Sequence, residues 1–415
     1  MKHTRSLLKV IGIACMMLCA PRSYSQDILS PLGTKKSIQI NFVFVQGFII
    51  VDLVFERLFP MKFIYDTGAQ NTILFDRIFT DNFQSNYSKR INLLGADLSS
   101  EFYALIYRNA SIEIKGASRV NRDILVLEEN FINISELIGL NVHGIIGSEF
   151  FKNHVVEIDF DKHQLVISKC EVVREGKFSK YAEIPIELNA SKPYINARIS
   201  LNLQDTITVK LLVDTGASLT SMIQTNTHPL LKLPEKTIPS RIGHGFGGNI
   251  EGYVGKIGYF EIQDFKFQNL LSYFQTTDGF VLDQNLTKRN GLLGNNILDR
   301  FKVAIDYCNS KMYLKPSSKH YDKPFEYDKS GLIVYAYGDR LNQYIIRYVS
   351  PGSPAAEADI RVDDQILKIG CFPLSLFSLD EISNKLSKKA GTKVKLKLRR
   401  GKEEFSKSIV LRDLI

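Results

Sequence analysis

Apolar runs bounded by turn-forming residues make up most of the chain between residues 37 and 316. Some runs are continuous and others alternate with polar residues, and both forms are typical of β-strands. Clear examples lie at 38–45, 48–55, 155–167 and 194–201. Helical signals are slight, with short candidates after Gly147, after Gly294 and after each of two Asp-Thr-Gly triplets. The pattern predicts that this part of the protein is mainly β.

The same part of the chain contains one set of motifs twice. FIYDTGA at 63–69 recurs as LLVDTGA at 211–217, GIIG at 144–147 recurs as GLLG at 291–294, and EIDF at 157–160 recurs as AIDY at 304–307. From the motif aspartate to the last glycine of the second motif the chain runs 81 residues in the first copy and 80 in the second. Such spacing indicates a duplicated lobe. We expect the lobes at 37–170 and 181–316, followed by a polar, proline-bracketed linker at 316–324.

The remaining segment, 325–415, has the pattern of a small α/β domain. A strand at 344–349 is followed by a turn rich in Ser, Pro and Gly. Ser378 and Glu381 have the spacing of a capping box, which predicts a helix from there to about Lys389. A hairpin that turns at Arg400-Gly401 completes the segment.

The doubled Asp-Thr-Gly triplet points to a pair of carboxylates, Asp66 and Asp214. Two carboxylates about 3 Å apart cannot both ionise, so they share one proton. The ionised member can take a proton from water while the protonated member donates to a carbonyl oxygen. Such a pair combines a general base and a general acid, which suits hydrolysis of a peptide bond without a metal.

These motifs resemble those of retropepsin-like and pepsin-like aspartic proteases, and the resemblance covers roughly residues 37–316. It implies a bilobal pair of acid-protease β-barrels in which Asp66 and Asp214 are catalytic. It also implies that Gly147 and Gly294 end the strands that brace the catalytic loops. Glycines would allow close approach to the carboxylates, and threonines would hydrogen-bond across a pseudo-twofold axis. The supporting loop residues are Thr67, Gly68, Ala69, Thr215, Gly216 and Ala217.

A glycine-rich stretch at 243–248 matches the dinucleotide-binding fingerprint Gly-x-Gly-x-x-Gly in its letters. That fingerprint needs a helix after it, whereas a strand-like run follows here. We therefore expect no cofactor and instead a hairpin flap over the cleft. The flap residues would be Gly245, Phe246, Gly247 and Gly248.

The C-terminal segment resembles a bacterial PDZ domain on the residues VSPGSPAA at 349–356 and DDQILKI at 363–369. Asp359 and Asp363 stand where that family commonly has Gly. The resemblance implies a loop whose backbone amides would receive the C-terminal carboxylate of a peptide beside a strand edge. The residues of this loop would be Ser330, Gly331, Leu332 and Ile333.

Composition limits the remaining classes of function. Hydrophobic residues make up 44% of the chain and charged residues 23%, with a net charge of +9. The clearest basic run, 393–402, alternates with apolar residues and lacks aromatics, so we expect a solvated strand face and no nucleic-acid partner. None of the 7 His has a metal-binding spacing, so we expect no metal.

Residues 1–25 have the features of a signal peptide: a charged start, an uncharged apolar run at 10–20 and small residues before Gln26. We expect an exported protein that is periplasmic or envelope-associated, with secretion and lipidation at Cys15 or Cys19 left open. The mature chain would retain Cys170, Cys308 and Cys371. Because they are odd in number and widely spaced, they predict no disulfide framework.

The leading interpretation is an exported aspartic-type endopeptidase, monomeric in its catalytic unit, whose PDZ-like domain assists recognition of a peptide or protein substrate. Two alternatives stay open: a non-catalytic peptide-binding envelope protein, and a regulatory or assembly factor acting through the basic strand.

Ala69 and Ala217 stand where pepsin-like enzymes often have Ser or Thr bound to the ionised carboxylate. We therefore expect an optimum less acidic than pepsin's, at about pH 4–6.5.

Overall fold

The computed structural model describes residues 30–94, 101–129, 134–245, 248–276, 289–325 and 327–415. The predicted signal peptide lies outside the described residues, as do Phe246 and Gly247 of the predicted flap. The described part is mostly β, with four sheets and four short α-helices. Within these ranges no helix is long and apolar enough to cross a membrane.

The first lobe is an eight-stranded sheet that curls back on itself. Its strands are β2 (Val43–Val45), β3 (Phe48–Phe55), β4 (Phe59–Asp66), β5 (Ile73–Leu74), β6 (Tyr87–Leu94), β7 (Glu101–Ile114), β8 (Val120–Leu127) and β9 (Gly144–Gly147). The order is β2-β3-β4-β9-β5-β8-β7-β6, and an additional pairing joins β3 to β7. The alternating and continuous apolar runs supply the side chains that fill its interior.

The second lobe repeats this arrangement strand for strand. Its strands are β13 (Glu187–Asn189), β14 (Lys192–Ser200), β15 (Ile207–Val213), β16 (Ser221–Thr225), β17 (Thr237–Gly245), β18 (Gly248–Ile262), β19 (Phe265–Thr276) and β20 (Gly291–Leu293). The order is β13-β14-β15-β20-β16-β19-β18-β17, and β14 also pairs with β18. The duplicated motifs therefore correspond to a duplicated topology.

A six-stranded sheet joins the two lobes. It contains β1 (Ser37–Asn41), β10 (His154–Asp159), β11 (Gln164–Lys169), β12 (Ala182–Pro185), β21 (Phe301–Asp306) and β22 (Lys311–Pro316) in the order β1-β11-β10-β21-β22-β12. Antiparallel pairing of β10 with β21 crosses from one lobe to the other. The apolar run at 155–167 is thus two strands rather than one, because the chain reverses where His163 has a φ of 54°.

One prediction about the cysteines is wrong. Cys170 and Cys308 form a disulfide with a Cα–Cα distance of 6.4 Å across a sequence separation of 138 residues. Counting and spacing did not reveal this pair, because the joining sheet brings the ends of the two lobes together. Cys371 is exposed and has a free thiol.

The C-terminal domain has its own sheet and its own buried cluster. Its elements are β23 (Leu332–Tyr337), β24 (Gln343–Val349), α3 (Pro354–Glu357), β25 (Gln365–Ile369), β26 (Phe372–Pro373), α4 (Leu379–Leu386), β27 (Lys393–Arg400) and β28 (Glu403–Val410). The sheet order is β23-β24-β25-β27-β28, with β26 beside β25.

Helix α4 starts where the sequence predicts but ends earlier. Ser378 and Glu381 form the capping box that opens α4, but the helix ends at Leu386 instead of near Lys389. There the Leu386 carbonyl accepts a hydrogen bond from the Lys329 amide.

The two aspartates at glycine positions of the PDZ pattern have left-handed backbones. Asp359 has a φ of 55° and Asp363 a φ of 69°. Glycine adopts this conformation without steric cost, and aspartate is among the few other residues that tolerate it. Aspartate at these two positions is therefore compatible with the left-handed backbone that glycine would adopt there.

The helical elements of the two lobes are short. The α-helices are α1 (Ile134–Ile138) and α2 (Asn295–Leu298), and the 3-10 helices are Arg77–Phe79, Asp81–Asn86, Ser148–Phe151 and Cys170–Val172. One further 3-10 helix, Leu374–Leu376, lies in the C-terminal domain. One large buried cluster runs through both lobes and the joining sheet, and each lobe also has a smaller cluster of its own.

Candidate active site

Each predicted catalytic aspartate lies at the end of a buried strand. Asp66 is the last residue of β4, which pairs in parallel with β9 so that Asp66 stands opposite Gly147. Asp214 directly follows β15, which pairs in the same way with β20. The paired apolar motifs thus lie directly beneath both Asp-Thr-Gly loops.

The two aspartates face each other closely across the lobe boundary. A Cβ on Gly68 would lie 2.5 Å from the carboxyl carbon of Asp214, and a Cβ on Gly216 would collide in the same way with Asp66. The two carboxyl groups lie close enough for each to shift the pKa of the other. Each also keeps part of its surface open to solvent. Only glycine at these two positions leaves room for the approach.

The electrostatics of the pair are asymmetric. Burial raises the pKa of Asp66 well above its usual range, and the charge of Asp214 raises it further. Burial also raises the pKa of Asp214, but the positive charge of Arg289 and, to a lesser extent, that of Lys192 counteract the rise. Two carboxyl groups this close share one proton, and the larger rise in pKa favours Asp66 as the protonated member.

Thr67 and Thr215 lock the two loops together. The Thr67 amide donates to Thr215 Oγ1 at 3.0 Å, and the Thr215 amide donates to Thr67 Oγ1 at 3.0 Å. Their hydroxyls donate onward, from Thr67 to the Val213 carbonyl at 2.7 Å and from Thr215 to the Tyr65 carbonyl at 2.8 Å. Both threonines are 0% exposed. The result is a symmetric, fully buried set of four hydrogen bonds beneath the two aspartates.

Backbone amides orient the carboxylates. Asp66 Oδ1 accepts from the amides of Gly68 at 2.7 Å and Ala69 at 3.0 Å, and Asp214 Oδ1 accepts from the Gly216 amide at 2.8 Å. Ala69 and Ala217 have no hydroxyl to add to these bonds. The absence of that donor agrees with the raised pKa of both carboxyls.

Two polar residues beside the loops were not singled out by sequence reasoning. Ser148 Oγ donates to the Ala69 carbonyl at 3.0 Å. Asn295 Nδ2 donates to the Thr215 carbonyl at 2.7 Å and to the Gly47 carbonyl at 2.8 Å. Both follow the last glycine of a repeated motif, Gly147 or Gly294. A polar residue at the same place in both copies was the signal that could have identified them.

The predicted flap lies at the tip of the β17–β18 hairpin. Gly245 is the last residue of β17 and pairs with Gly248, the first of β18. The residues between them, Phe246 and Gly247, lie outside the described residues. The glycine-rich stretch therefore connects two strands and does not lead into a helix.

The predicted carboxylate-binding loop already contacts a carboxylate of the same chain. The amides of Gly331 and Leu332 donate to Asp328 Oδ2, and the Ser330 hydroxyl donates to Asp328 Oδ1. Burial raises the pKa of Asp328 to about 6. Ile333 lies on β23 opposite Tyr348. These amides form an anion-binding loop whose contacts here are intramolecular.

Comparison with known proteins agrees with these motifs. Residues 199–297, which include Asp214, match the family model described as an aspartyl protease, and residues 345–400 match the model of the PDZ domain. Among solved structures, the aspartic proteinase from Irpex lacteus is similar at 13% identity and a TM-score of 0.45, covering 69% of this chain and 98% of that chain. A search of curated proteins finds no match.

The chain therefore carries an aspartyl-protease domain and a C-terminal PDZ domain, as the motifs predicted. The first lobe, which lies before the matched segment, repeats the same strand order around its own Asp-Thr-Gly loop.

Proposed function

We propose that this protein is an exported aspartic endopeptidase that hydrolyses peptide bonds with Asp66 and Asp214. The observation that supports this most directly is the close approach of two carboxyl groups from two duplicated loops, each packed against the glycine of the opposite loop. The reciprocal hydrogen bonds of Thr67 and Thr215, called here the threonine lock, support the proposal as well, because they hold the two loops together. A site that needs one proton shared between two carboxyls is built for acid–base chemistry.

In the proposed mechanism Asp214 is ionised and Asp66 carries the proton. Asp214 takes a proton from a water molecule, the water oxygen bonds to the substrate carbonyl carbon, and Asp66 donates its proton to the carbonyl oxygen. Asp214 then gives its proton to the amide nitrogen as the C–N bond breaks, and one hydroxyl returns a proton to Asp66. The dyad ends in its starting state.

The PDZ domain suggests a role in binding a peptide or protein. Its predicted carboxylate loop and the edge strand β23 are the features that would receive an extended chain. We propose that this domain assists recognition of the substrate.

Export is proposed from the N-terminal pattern at residues 1–25. The disulfide between Cys170 and Cys308 supports it, because such bonds persist mainly in oxidising compartments. Fractionation of cells that express the full chain would test this, since recovery in the cytoplasm with residues 1–25 attached would contradict export.

The decisive experiment incubates residues 26–415 with an unfolded protein from pH 3 to 8, beside Asp66→Asn and Asp214→Asn. Each variant keeps the shape of the side chain but removes its acid–base function. Cleavage by the wild type alone, with an optimum at about pH 4–6.5, is the expected result. Full activity in either variant would refute the dyad. A folded wild type that binds peptides without cleaving them would favour the non-catalytic alternative.

A further inference from the structure

The turn between β2 and β3, formed by Gln46 and Gly47, touches the catalytic loop of the opposite lobe. Ser218 Oγ donates to the Gln46 carbonyl, and Asn295 Nδ2 bridges the Gly47 carbonyl at 2.8 Å and the Thr215 carbonyl at 2.7 Å. Thr215 directly follows Asp214 in the chain. Gly47 has a φ of 77°, and a Cβ there would collide with Ser218. The turn is therefore a fixed support of the second catalytic loop.

The PDZ domain holds the other side of the same turn. Asp380 Oδ1 accepts from the Gln46 amide at 2.9 Å and from Gln46 Nε2 at 2.7 Å. Ser383 Oγ accepts from Gln46 Nε2 at 3.3 Å. Asp380 lies in the first turn of α4, where a carboxylate is favoured and where the capping box fixes the helix.

We propose that Asp380 is a positioning residue for the protease site and acts through Gln46, Asn295 and Thr215 on Asp214. The proposal rests on the proposed peptidase function. Without Asp380 the half-buried Gln46 amide loses its acceptor, and Gln46 has to keep a left-handed backbone at φ 47° with less support. The turn then relaxes, and Asn295 holds the Thr215 carbonyl less firmly.

The test measures kcat and KM of the full chain for Asp380→Ala, Asp380→Asn and the control Glu404→Ala. Asn keeps an oxygen that can accept both Gln46 bonds, and Glu404 makes ion pairs only within the PDZ domain. We expect Asp380→Ala to lower kcat about tenfold, less than the hundredfold that a 1 Å displacement can cause. KM should change little, and Asp380→Asn and Glu404→Ala should act like the wild type.

A double-mutant cycle separates positioning from simple loss of stability. Gln46→Ala combined with Asp380→Ala should lower kcat little beyond either change alone, because both break one contact. Wild-type kcat in folded Asp380→Ala, or equal loss in Asp380→Asn and Glu404→Ala, would refute the proposal. An inactive wild type would instead refute the proposed function on which it rests.

A second observation concerns the ligand groove of the PDZ domain, between β23 and α4. Helix α1 of the first lobe packs against β23. The residue after it, Gly139, sits where a Cβ would lie 3.0 Å from the Leu379 Cβ and 3.8 Å from the Ala336 Cβ. Glu136 on α1 faces Arg347 on β24 at 3.9 Å. The first lobe thus fills the space between the edge strand and the helix.

From this packing we infer that docking of α1 and capture of a peptide C-terminus exclude each other. A peptide that adds to the edge of β23 needs the space that α1 and Gly139 occupy. Its carboxylate also needs the amides of Gly331 and Leu332, which Asp328 already engages. The groove is thus closed by its own chain, with α1 along the strand edge and Asp328 at the amides.

Gly139→Val tests this exclusion, because the added side chain forces α1 away from Leu379. Gly176→Val is a matched control, since Gly139 and Gly176 have φ values of 73° and 79° but a Cβ on Gly176 meets nothing within 4 Å. The probe is a fluorescein-labelled random decapeptide pool ending in Val with a free carboxylate. We expect Gly139→Val to bind it about tenfold or more tightly than both wild type and Gly176→Val. Equal binding by all three proteins, or no binding by any, would overturn the inference.

Discussion

Replacing Thr215 by Val tests whether the threonine lock stabilises the paired lobes. Valine has nearly the same shape, so the change removes the hydroxyl without opening a cavity. The Thr67 amide loses its acceptor, and the Tyr65 carbonyl loses its donor. Both groups remain in a region where Thr67, Tyr65 and Thr215 are 0% exposed, so water cannot replace the lost bonds.

The expected cost follows from those two groups. A buried polar group left without a partner costs about 1–3 kcal/mol, so two cost about 2–6 kcal/mol. Thr67→Val should cost a similar amount, because it leaves the Thr215 amide and the Val213 carbonyl unpaired. Thr215→Ser should cost much less, since it keeps the hydroxyl.

The assay is urea unfolding followed by far-UV circular dichroism, because the chain contains no Trp for fluorescence. Hydrogen exchange at the Thr67 amide adds a local measurement, since the PDZ domain has a separate core and can unfold on its own. Protection of that amide should fall in Thr215→Val and survive in Thr215→Ser. A Thr215→Val protein within about 0.5 kcal/mol of the wild type would refute the reasoning.

Three further predictions use other parts of the structure. The pKa of Asp66 is raised in the folded state, so the stability that this carboxyl contributes is complete below about pH 4 and is lost as pH rises through the folded pKa. Asp66→Asn should therefore unfold at a higher urea concentration than the wild type at pH 7.5. This difference should vanish near pH 4. Gly68→Ala places a Cβ 2.5 Å from the opposite carboxyl carbon and should lower kcat/KM by about 100-fold or more, while Gly258→Ala should retain activity. Breaking the disulfide by Cys308→Ser should cost about 2–5 kcal/mol in urea unfolding, because its partner Cys170 lies 138 residues away, and an unchanged midpoint would contradict this.

Repetition made the site predictable. Because the motif spacing in the two copies agrees to within one residue, Asp66 and Asp214 could be paired without a structure. The PDZ segment was recognisable from its turn motif, even though Asp359 and Asp363 replace glycine. Local patterns also predicted the start of α4 at its capping box, but not its end, where the Leu386 carbonyl accepts a hydrogen bond from the distant Lys329 amide.

The wrong and missing predictions share a cause. The spacing of Cys170 and Cys308 fits no framework and predicts no disulfide, yet the joining sheet brings them together. No local pattern indicates the role of Asn295, because its partner Gly47 lies 248 residues away. Contacts of this kind depend on how complete lobes pack, which no local periodicity encodes.

By itself the sequence determined the class of fold, the duplication of the lobe and the identity of the two carboxylates, because each depends on patterns that repeat or stay within one element. The tertiary structure alone decided the raised pKa of both carboxyls, since that depends on burial and, for Asp214, on the opposing charge of Arg289. It also decided that the PDZ helix contacts the turn between β2 and β3 through Gln46 and Asp380, which are 334 residues apart. Burial, charge and hydrogen bonds between distant segments exist only once the chain has packed.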